Sequence, residues 1–211
     1  YSMTGMYSTS FNLFHLITDT LVPNASEGKI NGTVIFPEIF NEFQQNLIDV
    51  LSIDDYIQVK DSINVKELSV RMRKSKWEIK PYENFRKLLG VANERTSDAN
   101  KVLFITRKNT RRSFKNEDEL VDFLKKYNIE IIDFGKITLE ERTLLLSKTK
   151  ILIGQYGAGL TNMIFMPNNS YVIDLQNGNW VKNDYCLLAN SCRLNYMNVA
   201  FPIKAFSKKD P

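Results

Sequence analysis

The stretch that most constrains this chain is Ile151-Leu152-Ile153-Gly154-Gln155-Tyr156-Gly157-Ala158-Gly159-Leu160-Thr161-Asn162. An apolar, strand-like run breaks at Gly154, crosses a glycine-bearing turn and restarts as a helix-compatible segment. A strand that hands over to a helix in this way leaves backbone N–H groups at the helix N-terminus, where the helix dipole also favours negative charge. Gly157 and Gly159 have no Cβ, so a ligand can approach the main chain closely. A phosphate or diphosphate fits such a turn. The plainer alternative is an ordinary βα turn whose small residues serve helix–strand packing.

The pattern on either side decides the fold class. Residues 102–106 form a continuous apolar run that reads as a buried strand, followed by a helix over 117–127 with Asn116 as a plausible N-cap. A strand at 129–132 comes next, then a helix opening on Thr138 with Glu141 completing a capping box. Strands at 150–153 and 171–175 alternate with helices at 159–165 and 184–191. Strand and helix alternating at short spacing predict an α/β protein with a parallel, Rossmann-like sheet. Earlier in the chain, a helix over 11–21 stops before Pro23, and a strand at 33–36 ends at Pro37. A helix over 38–51, a strand at 55–59 and a helix over 82–91 follow. The polar connector 93–100 divides a first domain, 1–95, from a second, 96–211.

With 211 residues, 43% of them hydrophobic, the chain can bury a substantial core. Its formal net charge of +4 suits an anionic small ligand and lacks the strong basic footprint of a nucleic-acid protein. The basic residues of 66–80, with Trp77 among them, read either as a contact for nucleic acid or sugar phosphate or as a solvated face. Cys186 and Cys192 are too few for a disulfide framework or a zinc site and read as free thiols. No apolar run is long enough for a membrane span. Asn24, Asn31 and Asn168 open N-glycosylation sequons, which place the chain in the secretory pathway if used and leave a cytoplasmic location open otherwise.

In an open parallel sheet, ligands gather at the carboxyl ends of the strands. Arg107 follows the 102–106 strand, with Arg111 and Arg112 in the same loop; guanidinium forks grip phosphate oxygens in pairs. Asp174, near the end of the 171–175 strand, could accept hydrogen bonds from ribose hydroxyls or cap the loop that follows. The glycines at 154, 157 and 159 do not fit G-x-G-x-x-G, which argues against hydride transfer. His15, the only histidine, lies one helical turn before Asp19. A carboxylate-oriented imidazole can serve as a general base, and the same pair can equally be a packing feature.

Taken in order, Arg107, Arg112, Asn116-Glu117, Leu120, Leu139-Glu140-Glu141, the segment 154–165 and Val172-Ile173-Asp174-Leu175 resemble glycosyltransferase family 61. Asn12, His15 and Asp19 are similar to that family's N-x-x-H-x-x-x-D element. The resemblance implies a GT-B-like architecture, two Rossmann-like domains facing across a cleft, the first of them possible in reduced form. It implies inverting, metal-independent transfer from a nucleotide sugar, usually UDP-linked, to a hydroxyl of a glycan or glycoprotein, with no resident cofactor. Under it, Arg107, Arg111 and Arg112 hold the diphosphate, and Gly157, Ala158 and Gly159 present N–H groups to it. Tyr156, Leu160, Asn162 and Asp174 complete the donor side, and His15 and Asp19 supply the catalytic base. Where the family reads G-x-H-G-A, this chain carries Tyr156. The alternative is a non-catalytic GT-B-like module that binds a nucleotide or glycan.

Overall fold

The computed structural model describes residues 2–3, 12–25, 33–37, 41–53, 55–59, 63–64, 66, 75–108, 113–178 and 181–202. Two compact units divide after Gly90, Tyr1–Gly90 and Val91–Pro211. Each is α/β, and every strand pairing in both is parallel.

The first unit holds β1 (Ser2–Met3), β2 (Val34–Pro37) and β3 (Tyr56–Val59), in the order β1-β2-β3. Its first helix departs from the sequence pattern. α1 (Leu13–His15), capped by Asn12, runs into a π-helical stretch, Leu16–Leu21, and on into α2 (Val22–Asn24). Pro23 therefore does not stop the helix. The Val22 N–H bonds to the Ile17 carbonyl across the wider π turn, and Pro23 sits in the first turn of the next segment, where its missing N–H costs least. α3 (Glu42–Val50) opens on a capping box between Asn41 and Gln44, and α4 (Ile79–Leu88) buries Tyr82 and Phe85.

The second unit is a five-stranded sheet, β4 (Lys101–Ile105), β5 (Glu130–Ile132), β6 (Thr149–Gln155), β7 (Tyr171–Asn177) and β8 (Asn195–Phe201). The spatial order is β5-β4-β6-β7-β8. α5 (Glu117–Lys125) covers one face, where Leu120, Val121 and Leu124 pack on Phe104, Phe114 and Leu175. α6 (Leu139–Ser147), a 3-10 helix (Ala158–Phe165) and α7 (Asp184–Ser191) pack together on the other. The Thr138–Glu141 capping box opens α6 as its sequence predicts.

Two boundaries differ from the sequence pattern in ways that bear on the site. β6 does not break at Gly154 but continues to Gln155, with Gly154 paired between Ile105 and Asp174. A Cβ on Gly154 would press on the side chains of Ile105 and Leu160 at 3.0 and 3.1 Å, so this glycine serves close helix–strand packing. β7 runs on to Asn177, which puts Asp174 in mid-strand rather than at a strand end. The extension exists because β8, which has no clear sequence signal, pairs with β7 along its whole length.

Candidate functional site

In the order β5-β4-β6, the chain leaves β4 toward β5 on one side and later returns to place β6 on the other. Such a reversal opens a crevice at the carboxyl ends of the two strands, the usual ligand position in open α/β sheets. Arg107 arrives there from β4 and the Tyr156–Gly159 turn from β6. The two meet. Arg107 Nη1 donates to the Tyr156 carbonyl at 3.0 Å, and the guanidinium fills the space a Cβ on Gly157 would occupy. Gly157 has φ +152°, a conformation L side chains rarely adopt, so the position requires glycine on two counts.

The 3-10 helix starts at this turn, and its first hydrogen bond runs from the Leu160 N–H to the Gly157 carbonyl at 2.9 Å. The N–H groups of Ala158 and Gly159 lie ahead of that bond, in the same turn that the Arg107 guanidinium touches at Tyr156 and Gly157, an arrangement that favours an anion. α5 also begins near this end of the sheet, and its first turn is closed to one. The Glu117 carboxylate sits in its first turn and accepts from Thr106 Oγ1 at 2.5 Å and the Arg107 N–H at 2.7 Å. The acidic side chain both braces Arg107 and occupies that helix end.

The remaining residues that the sequence singles out in this unit divide into those at the turn and those beneath it. Tyr156 points its ring at Tyr185, edge-on at 5.0 Å, and donates its hydroxyl to Asp184 at 2.7 Å. Burial, and then the Asp184 contact, push its hydroxyl well above the ordinary tyrosine range, so it stays protonated and tied to α7. Leu160 and Asn162 are enclosed, at 0% and 1% exposure. Asn162 donates to the Gly159 carbonyl at 2.7 Å and accepts from Arg142 at 2.9 Å, so it fixes the turn from below. Burial lowers Arg142 to about 10, and its guanidinium stays charged at neutral pH.

Asp174 is also enclosed, at 0% exposure, in the middle of β7. Its Oδ2 accepts from the Tyr196 hydroxyl at 2.7 Å and Gln176 Nε2 at 2.8 Å, while Oδ1 has no hydrogen-bond partner among the described residues. Burial raises it to about 6, although both hydrogen bonds pull the other way. Asp184, half-buried at the start of α7, is the carboxylate that the Tyr156 hydroxyl reaches, and nothing in the sequence singles it out. Beside it, a cavity of about 530 Å³ opens among Val181, Lys182, Asn183, Cys186, Tyr196 and Asn198. Arg111 and Arg112 lie outside the described residues.

In the first unit, His15 and Asp19 meet as the sequence spacing predicts, with Nδ1 and Oδ2 at 2.7 Å. An ionised carboxylate only accepts, so Nδ1 carries the hydrogen in this contact. Asp19 also pairs with Lys76 at 2.5 Å and accepts from Thr18 Oγ1 at 3.1 Å. Burial pushes its carboxyl upward, but Lys76, His15 and Thr18 together outweigh that and hold it below the usual carboxylate range. Asn12, the start of the N-x-x-H-x-x-x-D element, accepts from the Phe14 N–H at 3.0 Å and is a helix cap.

The family described as Glycosyltransferase 61 matches the chain over residues 13–173, from α1 to the middle of β7. The chain belongs to glycosyltransferase family 61. Among its relatives is the EGF domain-specific O-linked N-acetylglucosamine transferase of Drosophila melanogaster, 31% identical over 80 residues, which are 36% of this chain and 15% of that protein. The protein of the same name from Mus musculus is 28% identical over 126 residues, 56% of this chain and 23% of its own length. The matched stretches thus span less than a quarter of either relative.

Cys186 is an exposed free thiol, and Cys192 is buried. Asn24 is buried at 1% exposure and donates to the Thr20 carbonyl, which closes that sequon to a glycan; Asn31 lies outside the described residues. Of the basic residues in 66–80, Lys76 pairs with Asp19 and Lys80 with Glu83, while Arg71, Arg73 and Lys74 lie outside the described residues. Among the described residues, no helix is long and apolar enough to cross a membrane.

Proposed function

We propose that this chain is an inverting, metal-independent glycosyltransferase of GT-B type that moves a sugar from a UDP-linked donor to a hydroxyl of a glycan or glycoprotein. One observation carries the reading. The Arg107 guanidinium lies on Gly157 at the head of a helix, at the point where the strand order reverses. Positive charge and main-chain N–H groups converge there, as a diphosphate leaving group requires. The names of the relatives make UDP-N-acetylglucosamine the first donor to try and a glycoprotein hydroxyl the first acceptor.

In this mechanism His15 Nε2 takes the proton from the acceptor hydroxyl as its oxygen attacks the anomeric carbon. The bond from that carbon to the diphosphate oxygen breaks, and UDP departs. Arg107 and the Gly157–Gly159 N–H groups meet the charge that develops on it, the kind of electrostatic help that is often the largest catalytic contribution. Asp19 orients the imidazole, and Asp174 and Asn162 hold the donor strand and turn in shape. Arg107→Ala is expected to abolish UDP binding in calorimetry; an unchanged affinity would remove the basis of the assignment.

A second reading, a binding module without turnover, is favoured by Tyr156. It stands where the family has histidine, and its one donor is committed to Asp184, so it brings no cation to the phosphate. Release of UDP from UDP-N-acetylglucosamine separates the two readings: slow release supports the enzyme, and binding without release supports the module.

A further inference from the structure

The basic stretch that the sequence leaves between nucleic-acid contact and solvated face has one member with a defined place. Lys76 precedes α4 in a short turn, in which the Ser75 N–H bonds to Glu78 and the Trp77 N–H bonds to Ser75 Oγ. Its ammonium lies 4.9 Å from the centroid of the Phe14 ring and 5.2 Å from that of Trp77, which stacks on buried Tyr82. From there it pairs with Asp19 Oδ1 at 2.5 Å, while His15 holds Oδ2. A surface lysine swings freely; this one is held by two aromatic faces, a turn and a carboxylate.

That placement changes what Asp19 does to His15. A lone carboxylate beside an imidazole favours the imidazolium, because the opposite charge stabilises it. With Lys76 on its other oxygen, Asp19 still accepts the Nδ1 hydrogen and fixes the ring, but its charge is balanced. We propose that Lys76 is a positioning residue of the proton-transfer site, which balances Asp19 so that His15 is oriented without being held protonated and keeps Nε2 free to accept a proton. The proposal rests on reading His15 and Asp19 as the base pair of the transfer reaction. The other charged groups of α4 and its approach do not take this role. Glu78 is bonded to the Ser75 N–H, Lys80 pairs with Glu83, Arg86 is buried, Lys87 is exposed, and among the described residues the cation that acts on Asp19 is Lys76.

Because His15 is the only histidine, its ring signals can be followed by NMR against pH in the whole chain, without substrate. In Lys76→Met the midpoint of that titration is expected to rise by about one pH unit. Lys76→Gln, which keeps a hydrogen-bond donor but not the charge, should rise equally, and Lys76→Arg should stay near the parent. An unmoved or lowered midpoint in both neutral variants, or an arginine variant displaced as far as they are, would overturn the proposal. If Lys76→Met fails to fold, as its amide spectrum would reveal, the glutamine and arginine variants decide the matter. Loss of the donor reading is seen separately, as failure of the parent protein to bind UDP, which leaves the histidine titration intact as a measurement.

Discussion

Gly157 and Asp174 show how much a single position can carry. At Gly157 a Cβ would collide with the Arg107 guanidinium and would have to adopt a conformation unfavourable to L residues. Gly157→Ala is therefore expected to displace Arg107 and weaken UDP binding at least about tenfold, a loss of roughly 1.4 kcal/mol, measured by calorimetry beside Arg107→Ala. Asp174 makes a prediction about pH. Its folded-state value of about 6 lies above the ordinary 3.8, so the native state holds a proton that the unfolded chain releases across that interval. The stabilisation is complete below about pH 4 and is lost as pH rises through 6, in total about 3 kcal/mol. In Asp174→Asn, urea unfolding between pH 4 and 7 should lack that loss relative to the parent; parallel curves for the two proteins would contradict the burial argument. The glycine's role was legible in the sequence, because a strand followed by G-x-G demands a tight turn. The aspartate's was not, because a carboxylate one position from a strand end and one in mid-strand look alike until the strand's partner is known.

At the level of elements, the signals that succeeded were local. The Thr138–Glu141 capping box pairs both ways, Thr138 Oγ1 accepting the Glu141 N–H at 3.1 Å and Glu141 the Thr138 N–H at 2.8 Å. Thr138→Ala is expected to destabilise the second unit by about 1 kcal/mol, read as a lower denaturation midpoint with an unchanged slope. The misses were elements whose conformation depends on a neighbour. β8 alternates weakly and is mostly exposed, so its strand character comes from the ladder with β7 rather than from an apolar face. The first helix passes Pro23 because a π-helical stretch widens the turn ahead of it, a choice that hydrophobic periodicity does not encode. His15 and Asp19 still meet, since spacing along a helix survives that widening.

For the whole molecule, membership of glycosyltransferase family 61 and the anion site proposed for the second unit make one joint prediction. UDP at about a hundred times its dissociation constant should stabilise the unit that binds it by about 2.7 kcal/mol. In hydrogen exchange, the protection should centre on the end of β4 and on residues 155–160. Protection confined to residues 1–90 would place the nucleotide elsewhere and remove Arg107 and the glycine turn from the site.

What the sequence determined by itself was the alternation of strand and helix, the parallel sheet it requires, and the chemistry of the turn after β6. Those are carried by periodicity and by residue types within a few positions of one another. Tertiary structure alone decided that Arg107 rests on Gly157, that Tyr156 reaches Asp184, that Asp174 is enclosed by Tyr196 and Gln176, and that Lys76 is drawn to Asp19. Most of these contacts join groups from separate elements, and which face each group lands on is set by strand order and register. A one-residue shift would turn Asp174 to the opposite face of the sheet. Local pattern specifies the parts, but only packing brings a charge to its partner.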